Sequence, residues 1–214
     1  MDTALDLVEV YLRLNGYLTL SEWQIQALSA AGEWQTLTDV DILGVRFPGP
    51  IYLADVHDPE ERLLLTLSDE LLSLEEDTVD VILGEVKEGE AVFNPSFTRH
   101  ETLHTVLHRL AWLYAEGDQE RVVEDLATVG ICNSPARGGG TIRTRMVAFG
   151  RAPQVTVNTV PIGNVLEAAA ALFTRYEDVL RSARFRSPSV DTLKLIHKTG
   201  FRLVRGPADA PDIP

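Results

Sequence analysis

Residues 80–88 read Asp80-Val81-Ile82-Leu83-Gly84-Glu85-Val86-Lys87-Glu88. The apolar, β-branched run from Val81 onward predicts a strand that stops at Gly89. Side chains alternate along a strand, so Glu85 and Lys87 are expected on one face while Val86 turns into the core. Upstream, residues 40–47 (VDILGVRF) have the same character, and Pro48-Gly49-Pro50 ends them. Asp39 and Asp41 share a face of that second strand by the same alternation. If the two strands pair, Asp41 and Glu85 converge.

Around these strands the chain alternates helical and extended patterns. Leu5, Val8 and Leu12, with Leu7, Tyr11 and Leu14, recur at helical spacing, and Asn15-Gly16 supplies a stop. Residues 17–25 read as extended and 26–36 as a loop or hairpin. An acidic insert, 49–79, contains a short helix within DPEERLLLTLSDELLSL. Helices are expected at 97–115 and 118–129, strands at 141–150 and 154–162, and further helices at 163–182 and 189–199. The fold class that follows is α/β: a mixed sheet flanked by helices, with C-terminal helices. One domain is expected over 1–205, followed by a disordered Pro-rich tail, 206–214.

The 214 residues can bury a core without cross-links. Cys132 is the only cysteine, which excludes an intramolecular disulfide and suits a reducing compartment. The first residues carry acids where a signal peptide would carry bases. No apolar run approaches the roughly 20 residues of a membrane span. A cytoplasmic protein without a membrane partner is the expectation. The net charge of −13 is unevenly placed. Residues 1–94 hold 20 acids and 4 bases, whereas residues 95–214 hold 12 acids and 15 bases. The C-terminal part could therefore face phosphates. Acids that only keep the chain in solution are the alternative.

Two strand-borne carboxylates and a lysine form a set suited to phosphodiester hydrolysis. A hard cation such as Mg²⁺ takes a few carboxylates plus waters. It lowers the pKa of bound water and offsets charge on a phosphate. Lys87 could position the attacking water or neutralise developing charge. A Glu-x-Lys pair on a solvated strand face is the plainer alternative.

These residues resemble the hallmark of the PD-(D/E)xK nuclease superfamily, an acid on one strand and (D/E)-x-K on the next. They especially resemble small bacterial nuclease-like and Holliday-junction-resolvase-like proteins. Those carry a helix with a Glu, a Gly-Tyr or Gly-Phe, a G-E-I-D-x-I strand and an E-V-K strand. The corresponding stretches here are Glu9, Asn15-Gly16-Tyr17, Thr38-Asp39-Val40-Asp41-Ile42-Leu43 and Gly84-Glu85-Val86-Lys87. More loosely, EVKEGEAVFNP, MVAFG and the final helices extend the likeness. The resemblance implies a restriction-endonuclease-like fold and a Mg²⁺- or Mn²⁺-dependent endonuclease acting on DNA. It makes Asp41 and Glu85 the metal ligands, Lys87 the catalytic lysine and Glu9 the helix carboxylate. Arg13, four residues after Glu9, offers an ion pair as the alternative role for that residue. Since many resolvase-like enzymes are dimers, a homodimer fits. A non-catalytic scaffold on the same fold, in a multi-protein assembly, is the other class.

A third reading comes from His100-Glu101-Thr102-Leu103-His104, a literal H-E-x-x-H. On a helix its histidines could bind zinc, with Glu101 as base and Glu124 as a third ligand of a metallopeptidase. Its polar neighbours and the absence of a downstream zincin signature argue against that chemistry. Arg143 and Arg145, on one face of the 141–150 strand, are candidate nucleic-acid contacts. A charged outer strand face is the alternative. Arg181, Arg184, Arg186, Lys194 and Lys198 form a second basic cluster. Trp23, Trp34 and Trp112 are expected to pack, and Gly138-Gly139-Gly140 lacks the Lys-Ser/Thr of a P-loop.

Overall fold

In the computed structural model, which describes residues 2–49, 69–177 and 187–205, the two acid-bearing strands are neighbours in a six-stranded sheet. Helix α1 (Thr3–Leu14) leads into β1 (Leu18–Leu28) and β2 (Trp34–Arg46). After a 3-10 turn at Glu70–Leu72 comes β3 (Thr78–Glu90). Helices α2 (His100–Arg109) and α3 (Gln119–Thr128) follow, then β4 (Ile131–Pro135), β5 (Thr141–Arg151) and β6 (Thr159–Pro161). The chain closes with α4 (Ile162–Arg175) and α5 (Pro188–Lys198). The strand order is β1-β2-β3-β5-β4, with β6 also on β5. β1, β2 and β3 run antiparallel in turn, β5 lies parallel to β3, β4 is antiparallel to β5, and β6 is parallel to it. This is the expected α/β architecture, a mixed sheet flanked by helices.

Alternation explains the layers. Ile82 and Val86 of β3, with Val147 and Phe149 of β5, turn to one face and meet Val8, Tyr11, Leu12, Val165, Ala169 and Val190 of α1, α4 and α5. Val81, Leu83, Ile142 and Met146 turn to the other face and meet Leu103, Val106, Leu107, Val122, Val123 and Leu126 of α2 and α3. Asp6 ties the first layer together from inside: its Oδ2 accepts from the Ser187 hydroxyl (2.8 Å) and the Ser189 amide (2.9 Å) at the start of α5.

Several expectations are corrected. β4 has no counterpart in the sequence reading; only Cys132 and Ser134 of it are buried, and Pro135 closes an edge strand where a missing N–H is tolerated. Of the strand expected at 154–162, only Thr159–Pro161 pairs. Before it, Thr156 and Thr159 close a tight turn, and the Asn158 amide donates to the carbonyls of Gly130 and Met146, both at 2.8 Å. The helix expected from 97 starts at His100 and breaks at Leu110 into a 3-10 turn. Trp34 and Trp112 are 71% and 59% exposed and do not pack as expected, whereas Trp23 is partly buried beneath Arg109. The N-terminal part of the insert helix, most of the second basic cluster and the tail lie outside the described residues.

The largest correction concerns Arg143 and Arg145. Both are buried, so neither is placed to meet a nucleic acid. They converge on Asp80 of β3, itself buried: Arg143 Nε donates to Oδ1 at 2.6 Å and an Arg145 guanidinium nitrogen to Oδ2 at 2.9 Å. Tyr17 also donates a short hydrogen bond to Asp80 Oδ2. The remaining guanidinium donors reach the Leu72 and Ser73 carbonyls and Glu75. Removing one member of a buried charge cluster strands the others in a low dielectric. Asp80→Ala is therefore expected to lower unfolding free energy by about 3–5 kcal/mol, read as a fall in urea midpoint. A midpoint near wild type would mean the guanidiniums find other partners.

Candidate functional site

β2 and β3 carry the sequence-predicted acids to the same end of the sheet. Ile42 pairs with Gly84, so Asp41 and Glu85 are the next residues outward on the two strands. Gly84 permits that approach: a Cβ there would lie 2.5 Å from Ile42 Cγ2, 3.2 Å from the Ile42 carbonyl oxygen and 3.3 Å from Phe149 Cε2. Asp41 Oδ2 accepts the Val86 amide at 2.8 Å, which fixes one carboxylate oxygen across the strand pair.

Glu85 and Lys87 share a face and form an ion pair through Glu85 Oε1. Val86 is buried on the opposite face, as alternation requires. Glu85 Oε2 is buried and has no hydrogen-bond partner. Burial raises the Glu85 pKa, and the Asp41 charge adds to it, against the opposing hydrogen bond from Lys87. For Lys87, burial works to lower the pKa, but the Glu85 hydrogen bond and the charges of Glu85 and Asp41 outweigh it and hold it above the ordinary lysine value.

Beside Asp41 and Lys87 opens a cleft of about 750 Å³ lined by Asp2, Leu5, Glu22, Gln24, Asp39, Asp41, Val86, Lys87 and Glu88; Glu85 stands behind this lining, not in it. Asp39 and Asp41 thus face a common space. Asp2 caps α1 by accepting the Ala4 amide at 2.8 Å, so the helix N-terminus sits at the rim. Glu22 occupies the left-handed region at φ 54° within β1, a conformation L-residues adopt at a cost. Sequence reasoning missed Glu22 and Asp2; neither lies in a motif, and only the hairpin register carries Glu22 there. The wall is strongly acidic, with Lys87 its one cation among the described residues.

Glu9 has a different setting. It is buried on α1, ion-paired with Arg13, and accepts from Thr19 Oγ1 at 3.0 Å and Ser21 Oγ at 3.5 Å. Those contacts fasten α1 to β1, and Glu9 does not line the cleft. The ion pair with Arg13, its alternative role, is present.

Among the described residues no group of three or more His, Cys, Asp or Glu is placed to hold a metal ion. Mg²⁺ does not need a protein cage; one or two carboxylates with waters and substrate oxygens suffice. Asp41 and the orphaned Glu85 oxygen match that modest donor set. The HETLH histidines lie elsewhere, half exposed on the open face of α2, where His100 and His104 meet Glu120 rather than a cleft. Cys132 is buried, and burial together with its bond to Asp125 pushes the thiol up to about 12, away from nucleophilic use at neutral pH.

A buried carboxylate with an unsatisfied oxygen costs stability. Glu85→Gln is expected to raise Tm by about 2–4 °C, the shift that about 1 kcal/mol produces at this chain length. Gly84→Ala is expected to lower stability by about 1–3 kcal/mol, because backbone and packed side chains must yield. Differential scanning calorimetry reads both signs. A destabilised Glu85→Gln would show that the ion pair with Lys87 outweighs the orphaned oxygen.

Comparison of the chain with protein-family models, with curated proteins and with solved structures returns no match.

Proposed function

We propose that the chain is a metal-dependent phosphodiesterase acting on DNA, with Asp41 and Glu85 as the metal-binding carboxylates and Lys87 as the catalytic lysine. One observation carries the reading: on adjacent antiparallel strands, Glu85 stands buried with one oxygen unpartnered beside Asp41 and Lys87, and those two line an open cleft walled by carboxylates. Buried polar atoms are rarely left unpaired, so an orphan beside a cleft suggests a ligand. Mg²⁺ or Mn²⁺ bound there would supply charge neutralisation at the phosphate and a more acidic water.

The protein's own part follows from its side chains. Asp41 is held by the Val86 amide and keeps its second oxygen for the cleft. Lys87 is partly exposed, so its ammonium can leave Glu85 and meet a phosphate oxygen or the attacking water. The acidic wall repels a bare polyanion, so substrate entry on this reading depends on the divalent ion. The likeness of Asp41 and Glu85-Val86-Lys87 to the PD-(D/E)xK hallmark supports the same assignment.

A non-catalytic binding module is the second reading. Leu18, Leu20 and Leu28 on the edge strand β1, with Trp34 opposite Leu28, are exposed apolar groups that suit a partner surface. The two readings part on metal-dependent cleavage. With Mn²⁺ or Mg²⁺, the chain is expected to nick a panel of plasmid, single-stranded and branched DNA. Glu85→Ala and Lys87→Ala should each reduce the rate by about 10²–10³-fold, the scale of losing one charge-stabilising group. A folded protein that neither cleaves nor binds Mn²⁺ would sink the enzyme reading and leave the binding module.

A further inference from the structure

We propose that His100 and His104 of α2, with Glu120 and Glu124 of α3, form a surface site for a borderline transition-metal ion, Zn²⁺ foremost. The site is separate from the Asp41–Glu85 centre, and the proposal does not rest on it.

Both helices place donors one turn apart, at i and i+4, so each presents a pair on one face. The faces oppose each other. His100 Nε2 lies 3.3 Å from Glu120 Oε1, His104 Nε2 lies 3.9 Å from Glu120 Oε2, and His100 Nε2 lies 4.0 Å from Glu124 Oε2. One carboxylate thus meets both imidazoles through its two oxygens. Zinc bonds of about 2.0–2.1 Å put tetrahedral ligand atoms about 3.4 Å apart. The first separation already has that value. The other two exceed it by about half an ångström, so no three groups yet surround a common point.

Closing that gap needs only side-chain rotation. All four side chains are at least 46% exposed, so none is locked by packing. The backbones, by contrast, are fixed: Leu103, Val106 and Leu107 pack with Val122, Val123 and Leu126 in one core cluster. A rigid pair of helices with adjustable donors is a partly organised chelate. Imidazole nitrogens with carboxylates suit zinc-class ions, whereas Mg²⁺ prefers oxygen donors alone. The same geometry recasts the HETLH motif. Its histidines would bind metal on an open helix face, clasping α2 to α3, rather than inside a peptidase cleft.

The test is a Zn²⁺ titration of the untagged, chelator-stripped chain against a chromophoric competitor, with Co²⁺ absorption as a ligand-sensitive readout. Wild type should take up one Zn²⁺ per chain, undisplaced by millimolar Mg²⁺. His104→Ala and Glu120→Ala should each weaken binding at least tenfold and alter the Co²⁺ spectrum, while circular dichroism stays unchanged because both side chains are exposed. Glu33→Ala, an exposed carboxylate away from both centres, should bind Zn²⁺ as wild type does. No uptake, uptake indifferent to both α2–α3 substitutions, or uptake abolished by Glu85→Ala would overturn the proposal. The last outcome would place the zinc at the strand carboxylates instead.

Discussion

Asp80 sits inside the protein between two guanidiniums and a phenol, and four parts of the fold meet so that this cluster stays satisfied. Tyr17 brings the α1–β1 junction, Arg143 and Arg145 bring β5, and the Leu72 and Ser73 carbonyls bring the 3-10 turn. Two buried cations against one buried anion would be untenable alone; the carbonyls and the half-exposed Glu75 absorb the rest. The cluster also fixes register. Asp80 pairs directly with Arg143 across the parallel β3–β5 ladder, and a slip by one residue would turn both arginines toward the apolar layer of α2 and α3.

That lock positions the candidate site at a distance. Glu85 lies five residues farther along β3, about 17 Å at strand rise. The same alternation that turns Asp80 toward α1 turns Glu85 toward the opposite layer. The two acids of one strand have contrasting fates because of depth and company. Asp80 is surrounded by donors and fully paired. Glu85 is equally buried but has only Lys87, the Asn94 backbone N–H and the anionic neighbour Asp41, and its Oε2 stays unpartnered.

Much of this was legible from residue pattern. Strand alternation placed Glu85 and Lys87 together and Val86 in the core, and hydrophobic spacing gave α1, α3 and the α/β class. What failed was whatever depends on contacts distant in sequence. Arg143 and Arg145 alternate with Ile142, Thr144 and Met146 as a solvated face would, and nothing local reveals that Asp80, more than 60 residues away, neutralises them inside. β4 is polar because it is an edge strand with few inward side chains. Trp34 and Trp112 break the ordinary rule that aromatic residues pack. Glu22 and Asp2 reach the cleft only through the hairpin register and the cap of α1.

The distribution of donors gives the remaining step. The sheet end offers carboxylates and an ammonium, all hard groups; the α2–α3 face offers imidazoles with carboxylates. Oxygen-only sites favour Mg²⁺ and Mn²⁺, and imidazole draws zinc-class ions, so the two places would sort cations by chemistry rather than compete. The division also makes sense of the acidic N-terminal half. Its carboxylates are not a uniform repulsive coat, since Asp80 neutralises buried arginines while Asp2, Glu22, Asp39 and Asp41 concentrate around one opening. On the proposed function, a cleft of that sign would gather divalent cations before a phosphodiester approached. On that reading, the charge that argues against a nucleic-acid substrate is what would make its binding conditional on metal.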